Sequence, residues 1–239
     1  MLLAIDTSTS LIGAAVLDPG PSDRPRAGQV LAAVTHEDPR RHAELLAPAI
    51  RDALHAAGVA RSDLTQVVCG VGPGPFTGLR VGVVTALVMA EALGLPVPRG
   101  VCSLDALAHA VVGQHEGPLL VASDARRKEV YWATYAVGPD GARRSSGPGV
   151  ARAQDLPEQV RALPVVGRAA VLYPEALPHP VAGAGTDVDP GALAALAAAL
   201  VQGVHPDAAA GAGRGLLDPE PLYLRRPDAV PTVPGGAPR

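Results

Sequence analysis

Residues 66–98 read QVVCGVGPGPFTGLRVGVVTALVMAEALGLPVP. The β-branched residues at the start of this stretch predict a buried strand, and the glycines and prolines that follow end it. Thr77 is then the predicted N-cap of a helix that ends just before Gly94. A strand, a glycine-rich turn and a helix N-terminus can together bind an anion such as phosphate. Between Arg80 and Glu91 the helix is almost entirely apolar, which is typical of a helix covered on all sides by its own core or by another protein.

The segments on either side of this stretch predict a ribonuclease H-like domain. Three short apolar runs with short connections predict an antiparallel meander, and residues 21–28 are expected to form a loop. A helix is expected to start after Asp38 and to end at Gly58, with Pro48 kinking or splitting it. Another strand and a helix capped by Ser103 follow the quoted stretch. The resulting order βββαβαβα is that of a ribonuclease H-like domain. The strands of the meander are expected at Leu2–Ile5, Leu11–Leu17 and Gln29–His36.

The second half of the chain begins like the first. The run Leu120–Ala125 resembles Leu2–Thr7, since both are apolar segments that lead into an aspartate. Together with the strand order, this repeat predicts an α/β protein with two ribonuclease H-like domains of the actin-like ATPase (ASKHA) type. The expected boundaries are 1–102 for the first domain, 103–215 for a smaller second domain, and 216–239 for a mostly disordered C-terminal segment. Within the second domain we expect a helix in residues 154–163, a strand at 165–167, and a helix from the Asp189 cap to Val201.

Composition excludes several classes of function. The net charge of -3 and the aromatic content of 3% argue against a protein that binds a polyanion by its own field, so a role with nucleic acid would be shared with another chain. Two cysteines, Cys69 and Cys102, make no disulfide framework. We expect a cytoplasmic protein with no membrane span, because the N-terminus lacks a basic flank and the apolar runs are too short.

The turn Asp6-Thr7-Ser8 and Gly74 are candidate phosphate contacts, because actin-like ATPases hold a phosphate at this turn. Turn chemistry alone also selects Asp, Thr and Ser. The second turn, at Asp124, continues into Ala125-Arg126-Arg127-Lys128, whose bulk opposes the close approach of a phosphate, so we interpret the paired phosphate clamp as degraded. The basic clusters at 126–128, 143–144 and 225–226 are either solvated surface or part of a shared RNA groove. Arg80 opposes the helix macrodipole and is expected to pair with a carboxylate of this or a neighbouring chain.

Catalytic and metal-ligating residues are predicted to be absent. The histidines His42, His109 and His115 form no recognised ligand pair, and the chain has no GxSxG nucleophile motif. We therefore expect this chain to contain no catalytic residue and no metal ligand.

Five motifs lie in order along nearly the whole chain: AIDTS (4–8), HAELL (42–46), GPGPFTGLRVG (72–82), SDARRKEVY (123–131) and PLYLR (221–225). Together they resemble the TsaB family of accessory proteins in bacterial tRNA threonylcarbamoyladenosine synthesis. The resemblance implies a two-domain actin-like fold without catalytic activity. It implies pairing with the related catalytic subunit TsaD and a complex that also contains the ATPase TsaE. That complex transfers a threonylcarbamoyl group to the adenosine beside the anticodon of tRNAs that read codons beginning with A.

The family's pairing surface is formed by two helices, which here correspond to 41–57 and 77–93. We expect the chain, when alone, to cover that surface by forming a homodimer. We also expect no cofactor of its own, with the interface to the catalytic subunit as a candidate place for ATP or ADP. Where the catalytic relative has a His-x-x-x-His metal pair, this chain has Ser103 and Leu107. An ATP-dependent kinase of the same superfamily and, with less support, a peptidase remain alternatives. The expected interface residues are His42, Leu45, Leu46, Ala49, Ile50, Arg80, Val83, Val84, Leu87 and Glu91.

Overall fold

The computed structural model describes residues 1–20, 28–209 and 214–225, in which nine strands form two sheets. The larger sheet has the order β3-β2-β1-β4-β5, with β1–β2–β3 antiparallel and β1, β4 and β5 parallel. The predicted meander and the parallel strands after it are thereby confirmed. Of the predicted loop at 21–28, residues 21–27 lie outside the described residues. The strands are β1 (Leu2–Asp6), β2 (Leu11–Asp18), β3 (Gln29–Glu37), β4 (Gln66–Gly72) and β5 (Arg99–Cys102).

Helices cover both faces of this sheet because side chains alternate along each strand. Leu3 and Ile5 pack with the buried residues of α1 (His42–Ala57) and α2 (Phe76–Ala92) on one face. Leu2 and Ala4 pack on the other face with α3 (Ser103–His109) and α6 (Pro190–Val201). The strands β1, β2 and β4 are therefore buried on both sides, whereas the edge strand β3 is partly exposed.

The ends of the first two helices differ in detail from the sequence expectations. α1 is one continuous helix with Pro48 inside it, so it is not split there, and it ends at Gly58 in the left-handed conformation (φ 65°). α2 begins at Phe76 after an N-cap at Pro75, which makes no side-chain cap hydrogen bond. Thr77 is therefore not the cap, because the proline ahead of it already sets the first turn.

The smaller sheet repeats the first topology in reduced form, with the order β8-β7-β6-β9. Its three antiparallel strands are followed by one short parallel strand on β6. The predicted strand at 165–167 is present, whereas the predicted helix in 154–163 is reduced to the single turn α4. Strand β8 was not predicted because its sequence is rich in Gly, Ser and Arg. The elements are β6 (Gly117–Asp124), β7 (Glu129–Gly138), β8 (Gly141–Arg152), α4 (Glu158–Arg161), β9 (Val165–Val166) and α5 (Ala169–Leu172), with 3₁₀ turns at Arg61–Asp63 and Ala153–Asp155.

Two segments from the end of the chain return to the first sheet. α6, whose predicted Asp189 cap accepts a hydrogen bond from the Ala192 amide at 2.8 Å, lies against β1, β2 and β3. Residues 190–201 were expected in the second domain, but in the structure they complete the core of the first.

The final segment, residues 214–225, crosses both cores. The Leu217 amide donates to the Gly100 carbonyl at 2.8 Å, and the Leu222 amide donates to the Val71 carbonyl at 2.7 Å. Of the expected disordered segment 216–239, residues 216–225 are therefore packed on the body, and residues 226–239 lie outside the described residues. Within the described ranges, no helix combines the length and apolar character needed to cross a membrane.

Candidate functional site: a closed phosphate turn beside an exposed helix face

The Asp6–Ser8 turn is buried and satisfied by the chain itself. One carboxylate oxygen of Asp6 accepts hydrogen bonds from the Ser8 amide (2.8 Å) and the Ser8 hydroxyl (2.7 Å). The other oxygen accepts from the Ser103 hydroxyl at 2.8 Å. Burial raises the pKa of Asp6 above its usual value, against these hydrogen bonds, which lower it. Both oxygens of the carboxylate are therefore engaged inside the protein.

Ser103 links this turn to β4 and does not cap a helix. Its hydroxyl oxygen accepts a hydrogen bond from the Gly72 amide at 3.1 Å while it donates to Asp6. Ser103 is the first residue of α3, and the N-cap position is held by Cys102 without a side-chain cap hydrogen bond. The expectation that Ser103 caps the helix was wrong, because its hydroxyl is committed to the buried carboxylate of Asp6, and a hydrogen bond to a charged group is stronger than one to a neutral amide.

The glycines of the β4–α2 connection fit against the Asp6–Ser8 turn. A Cβ atom on Gly74 would lie 2.4 Å from the Ser8 carbonyl oxygen, and one on Gly78 would lie 2.6 Å from the Thr7 carbonyl oxygen. The Thr7 hydroxyl also donates to the Gly78 carbonyl at 2.7 Å. The glycine-rich turn is thus filled by the chain's own backbone, and the space in which an anion would bind is taken.

The cleft between the two sheets is closed as well. Ser8, Pro75, Asp124 and Arg168 are among the residues that line it, and its volume is about 10 Å³, roughly the space of a single water molecule. Arg168 contributes to the closure, because it contacts Glu37 of β3 at 2.8 Å and Asp187 at 3.1 Å. In actin-like proteins with an open cleft, this is the region between the two phosphate turns.

One face of α2 exposes apolar side chains to solvent. Val84, Leu87 and Val88 are 53%, 38% and 61% exposed, and their spacing places them along one side of the helix. Arg80 and Glu91 are exposed at either end of this stripe. An apolar stripe flanked by charges is typical of a surface that binds another protein.

Within the described residues, Arg80 contacts aromatic side chains and no carboxylate of this chain, so a carboxylate of a neighbouring chain stays a prediction. Its guanidinium lies 4.2 Å from the centroid of the Phe76 ring and donates to the Tyr223 hydroxyl at 3.2 Å. The Phe76 and Tyr223 rings are stacked with their centroids 4.8 Å apart. The C-terminal segment thereby extends the surface of α2 at its first turn. Phe76, Val88 and Tyr223 also belong to this exposed surface but were not among the predicted interface residues. Val88 could have been predicted from the sequence, because it lies one helical turn after Val84.

Half of the expected interface residues lie inside the molecule. The apolar stripe of α1 was predicted to contact a partner. In the structure it packs on the first sheet, because the apolar residues on that face of the sheet must be buried. His42 is also buried, and its Nε2 lies 3.0 Å from the Thr9 carbonyl oxygen. Leu45 is half-buried. The side chains of this group are at most 8% exposed in this chain and face its own core, so their contact with a partner stays a prediction; they are His42, Leu46, Ala49, Ile50 and Val83.

The described residues contain no group of three or more His, Cys, Asp or Glu side chains arranged to hold a metal ion. Cys69 and Cys102 are buried free thiols, and burial raises the pKa of each to about 12. Neither thiol is a nucleophile at neutral pH, because the thiolate is the reactive form.

Comparison with known proteins agrees with this architecture. Residues 29–210 match the family described as "TsaD: tRNA N6-adenosine threonylcarbamoyltransferase". An uncharacterized protein of Mycobacterium tuberculosis is 41% identical over 232 residues, which cover 96% of this chain and 94% of that one. The tRNA threonylcarbamoyladenosine biosynthesis protein TsaB of Escherichia coli is 32% identical over 142 residues, 59% of this chain and 57% of its own length. The solved structure of YeaZ from Pseudomonas aeruginosa superposes with a TM-score of 0.71 at 29% identity and covers 93% of this chain and 99% of that chain.

Two ribonuclease H-like lobes and a self-filled phosphate turn define an actin-like (ASKHA) protein whose cleft is closed. The matches to the family, to curated TsaB proteins and to YeaZ narrow the class further. The chain belongs to the TsaD family, among its TsaB members. The resemblance drawn from the five motifs is confirmed.

Proposed function

We propose that this chain is a non-catalytic scaffold subunit in tRNA threonylcarbamoyladenosine biosynthesis, which pairs with and activates a TsaD-type catalytic subunit. The observation that carries the proposal is the exposed stripe of Val84, Leu87 and Val88 on α2. Exposure of such a stripe to water is unfavourable, and covering it with a second helix lowers the free energy of the complex. The names of the TsaB relatives support the pathway, and the TsaD family match supports a related partner.

The closed cleft supports a role without chemistry of its own. Asp6 has both oxygens engaged, and the cleft volume of about 10 Å³ leaves no space for a nucleotide beside it. We therefore propose that the chain holds no cofactor and that ATP or ADP, where the complex needs it, binds at the interface with the catalytic subunit. An ATP-dependent kinase would need an open cleft and two working phosphate turns.

We propose that a second copy of the chain and the catalytic subunit bind to the same surface of α2. Alone in the cytoplasm, the chain would cover its α2 stripe by forming a homodimer with an isologous contact. In the complex, the catalytic subunit would replace the second copy, a TsaE-type ATPase would join, and tRNA would bind to the assembly. Exchange of one partner for another at a shared surface makes the two states mutually exclusive.

Reconstitution tests this proposal directly. The purified chain, a TsaD-type subunit and a TsaE-type ATPase are mixed with tRNA, ATP and threonylcarbamoyl adenylate as the donor of the group. Threonylcarbamoyladenosine is then measured with each protein omitted in turn. Loss of the product when this chain is left out of the otherwise complete mixture, together with no product from this chain alone, is the expected result. Product formed without this chain would refute the scaffold role. ATP turnover by the chain alone that is lost in Asp6→Asn would instead favour the kinase.

A further inference from the structure

The domain that contains the smaller sheet has an open depression on its surface, separate from the closed cleft between the two sheets. It has a volume of about 550 Å³, within the usual range for small-molecule sites. The loop between β6 and β7 separates the two spaces, since Arg126 lines the cleft and Lys128 lines the depression. Arg152, Gln154, Tyr173 and Glu175 also line it.

The loop that carries Lys128 has an unfavourable backbone. Arg126, Arg127 and Lys128 all have left-handed backbones, with φ values of 63°, 51° and 63°. The Arg126 amide donates to Asp124 at 2.8 Å, and the Glu129 amide donates to the Arg126 carbonyl at 2.9 Å, which together hold the turn. Glycine adopts this conformation without cost, whereas other residues rarely do. Three long cations at three such positions indicate that their side chains, and not the turn alone, are required there.

The acidic residues nearest the loop are already paired with other arginines. Asp124 lies 3.5 Å from Arg126, and Glu129 lies 3.2 Å from Arg225. Lys128 makes no ion pair with any residue in the ranges 1–20, 28–209 and 214–225, and the same holds for Arg152. Arg152 lies opposite Glu129 in the β7–β8 ladder, which places it beside Lys128. Of the residues that line the depression, only Glu175 is acidic, so its charge is positive despite the net charge of the chain.

Tyr173 supplies a half-buried aromatic ring in the same depression. Unpaired cations near an aromatic ring are the combination that binds single-stranded nucleic acid, since the cations attract phosphate and the ring stacks on a base. A neutral sugar or an apolar ligand carries no negative charge that could pair with the two cations. The ligand class that fits is therefore a phosphorylated nucleoside.

We propose that the depression bounded by Lys128, Arg152 and Tyr173 binds an unpaired nucleotide of the tRNA substrate. This proposal rests on the proposed function, because it assumes that the chain acts in a tRNA-modifying complex. Lys128 and Arg152 contact phosphate, and Tyr173 stacks on the base. The scaffold subunit thereby contributes part of the RNA surface in addition to holding the catalytic subunit.

The test measures RNA binding by the complex of this chain with a TsaD-type subunit, using a fluorescent anticodon stem–loop and fluorescence anisotropy. Lys128→Gln is expected to weaken binding about fivefold and to lower the slope of log K against log salt by about 0.7, the value for one contact to a single-stranded phosphate. Tyr173→Leu is expected to weaken binding roughly tenfold, whereas Tyr173→Phe keeps the ring and the affinity. Arg99→Gln, which removes an exposed cation from β5, is the matched control and should leave the affinity unchanged.

Lys128→Gly separates a binding role from a structural one. It removes the side chain and the backbone strain together, so RNA binding should fall as in Lys128→Gln while the melting temperature rises. A residue that served only the turn would show the rise in melting temperature without the loss of affinity.

Wild-type affinity and salt slope in both Lys128→Gln and Tyr173→Leu would overturn the proposal. Displacement of the RNA by AMP at micromolar concentration would also overturn it, since the site would then bind a free nucleotide. Co-elution with the catalytic subunit and tRNA modification are measured on the same samples. Failure of the wild-type chain in those two assays would refute the proposed function, whereas normal pairing with unchanged RNA affinity would refute only the RNA site.

Discussion

Val83 and Val84 are neighbours in α2 but have opposite surroundings. The Val83 side chain is 3% exposed and belongs to the core under the first sheet, whereas Val84 is 53% exposed. Because the two residues share one type and one helix, the same substitution at each position separates folding from partner binding. We predict that Val83→Ala destabilises the fold and that Val84→Ala weakens pairing with a TsaD-type subunit.

The expected magnitudes follow from these exposures. Val83→Ala removes buried methyl groups and should lower the free energy of unfolding by about 2 kcal/mol. Val84→Ala should change it by less than about 0.5 kcal/mol, since the side chain is mostly in water. Full burial of one such side chain contributes about 1.5–3 kcal/mol, so covering the exposed parts of Val84, Leu87 and Val88 should contribute about 3 kcal/mol in total. Replacing all three by serine should therefore raise the Kd for the partner by a factor of roughly 150.

Urea denaturation gives the unfolding free energies, and isothermal titration calorimetry with the catalytic subunit gives the Kd values. Size-exclusion chromatography with light scattering shows whether the triple variant also loses the homodimer. If the triple serine variant binds the partner as tightly as the wild type, the stripe on α2 is not the pairing surface. If Val84→Ala is as destabilising as Val83→Ala, the assigned orientation of the helix is wrong.

Three further predictions concern the interior. Gly78→Ala places a Cβ atom 2.6 Å from the Thr7 carbonyl oxygen, so it should destabilise the fold by about 2 kcal/mol in urea denaturation; an unchanged midpoint would show that the turn is not tightly packed. Burial lowers the pKa of His109 from 6.5 to about 4, so the unfolded chain takes up a proton first as the pH falls. Stability should therefore decrease between pH 6.5 and 4, by about 2 kcal/mol at pH 5 from this group, and His109→Asn should remove that part of the pH dependence; an equally steep loss in the variant would exclude His109 as its source. Cys69 and Cys102 should react with Ellman's reagent only after denaturation, because burial raises the pKa of both thiols to about 12; fast reaction in the native state would contradict this.

Local signals in the sequence were sufficient for the order of the elements. The continuous apolar runs of β1 and β2, the glycine after α1 and the aspartate before α6 are each signals contained within one turn or one strand. These signals persisted in the structure because tertiary packing reinforced them. β8 was missed because a strand at the sheet edge can be built from polar residues and glycine, which carry no alternation.

The candidate site required information that neighbouring residues do not contain. The apolar stripe of α1 and that of α2 are equally visible in the sequence, but only the three-dimensional arrangement shows that Leu46 and Ile50 meet the sheet while Val84 meets water. Ser103 offered a local partner at the start of α3, and its actual partner, Asp6, is 97 residues away. Long-range contacts of this kind set which polar group wins a hydrogen bond, and no spacing rule predicts them.

The packing of α6 on the first sheet has a consequence for how the chain is made. Leu2, Ala4, Ala15 and Leu17 belong to the sheet face that α6 covers. These residues leave the ribosome long before α6 is synthesised. At a synthesis rate of 5–20 residues per second, this face of the sheet stays uncovered for about 10–35 s. During that time the nascent chain presents an apolar, strand-edged surface to chaperones and to other nascent chains. Truncation before residue 190 would make this transient exposure permanent.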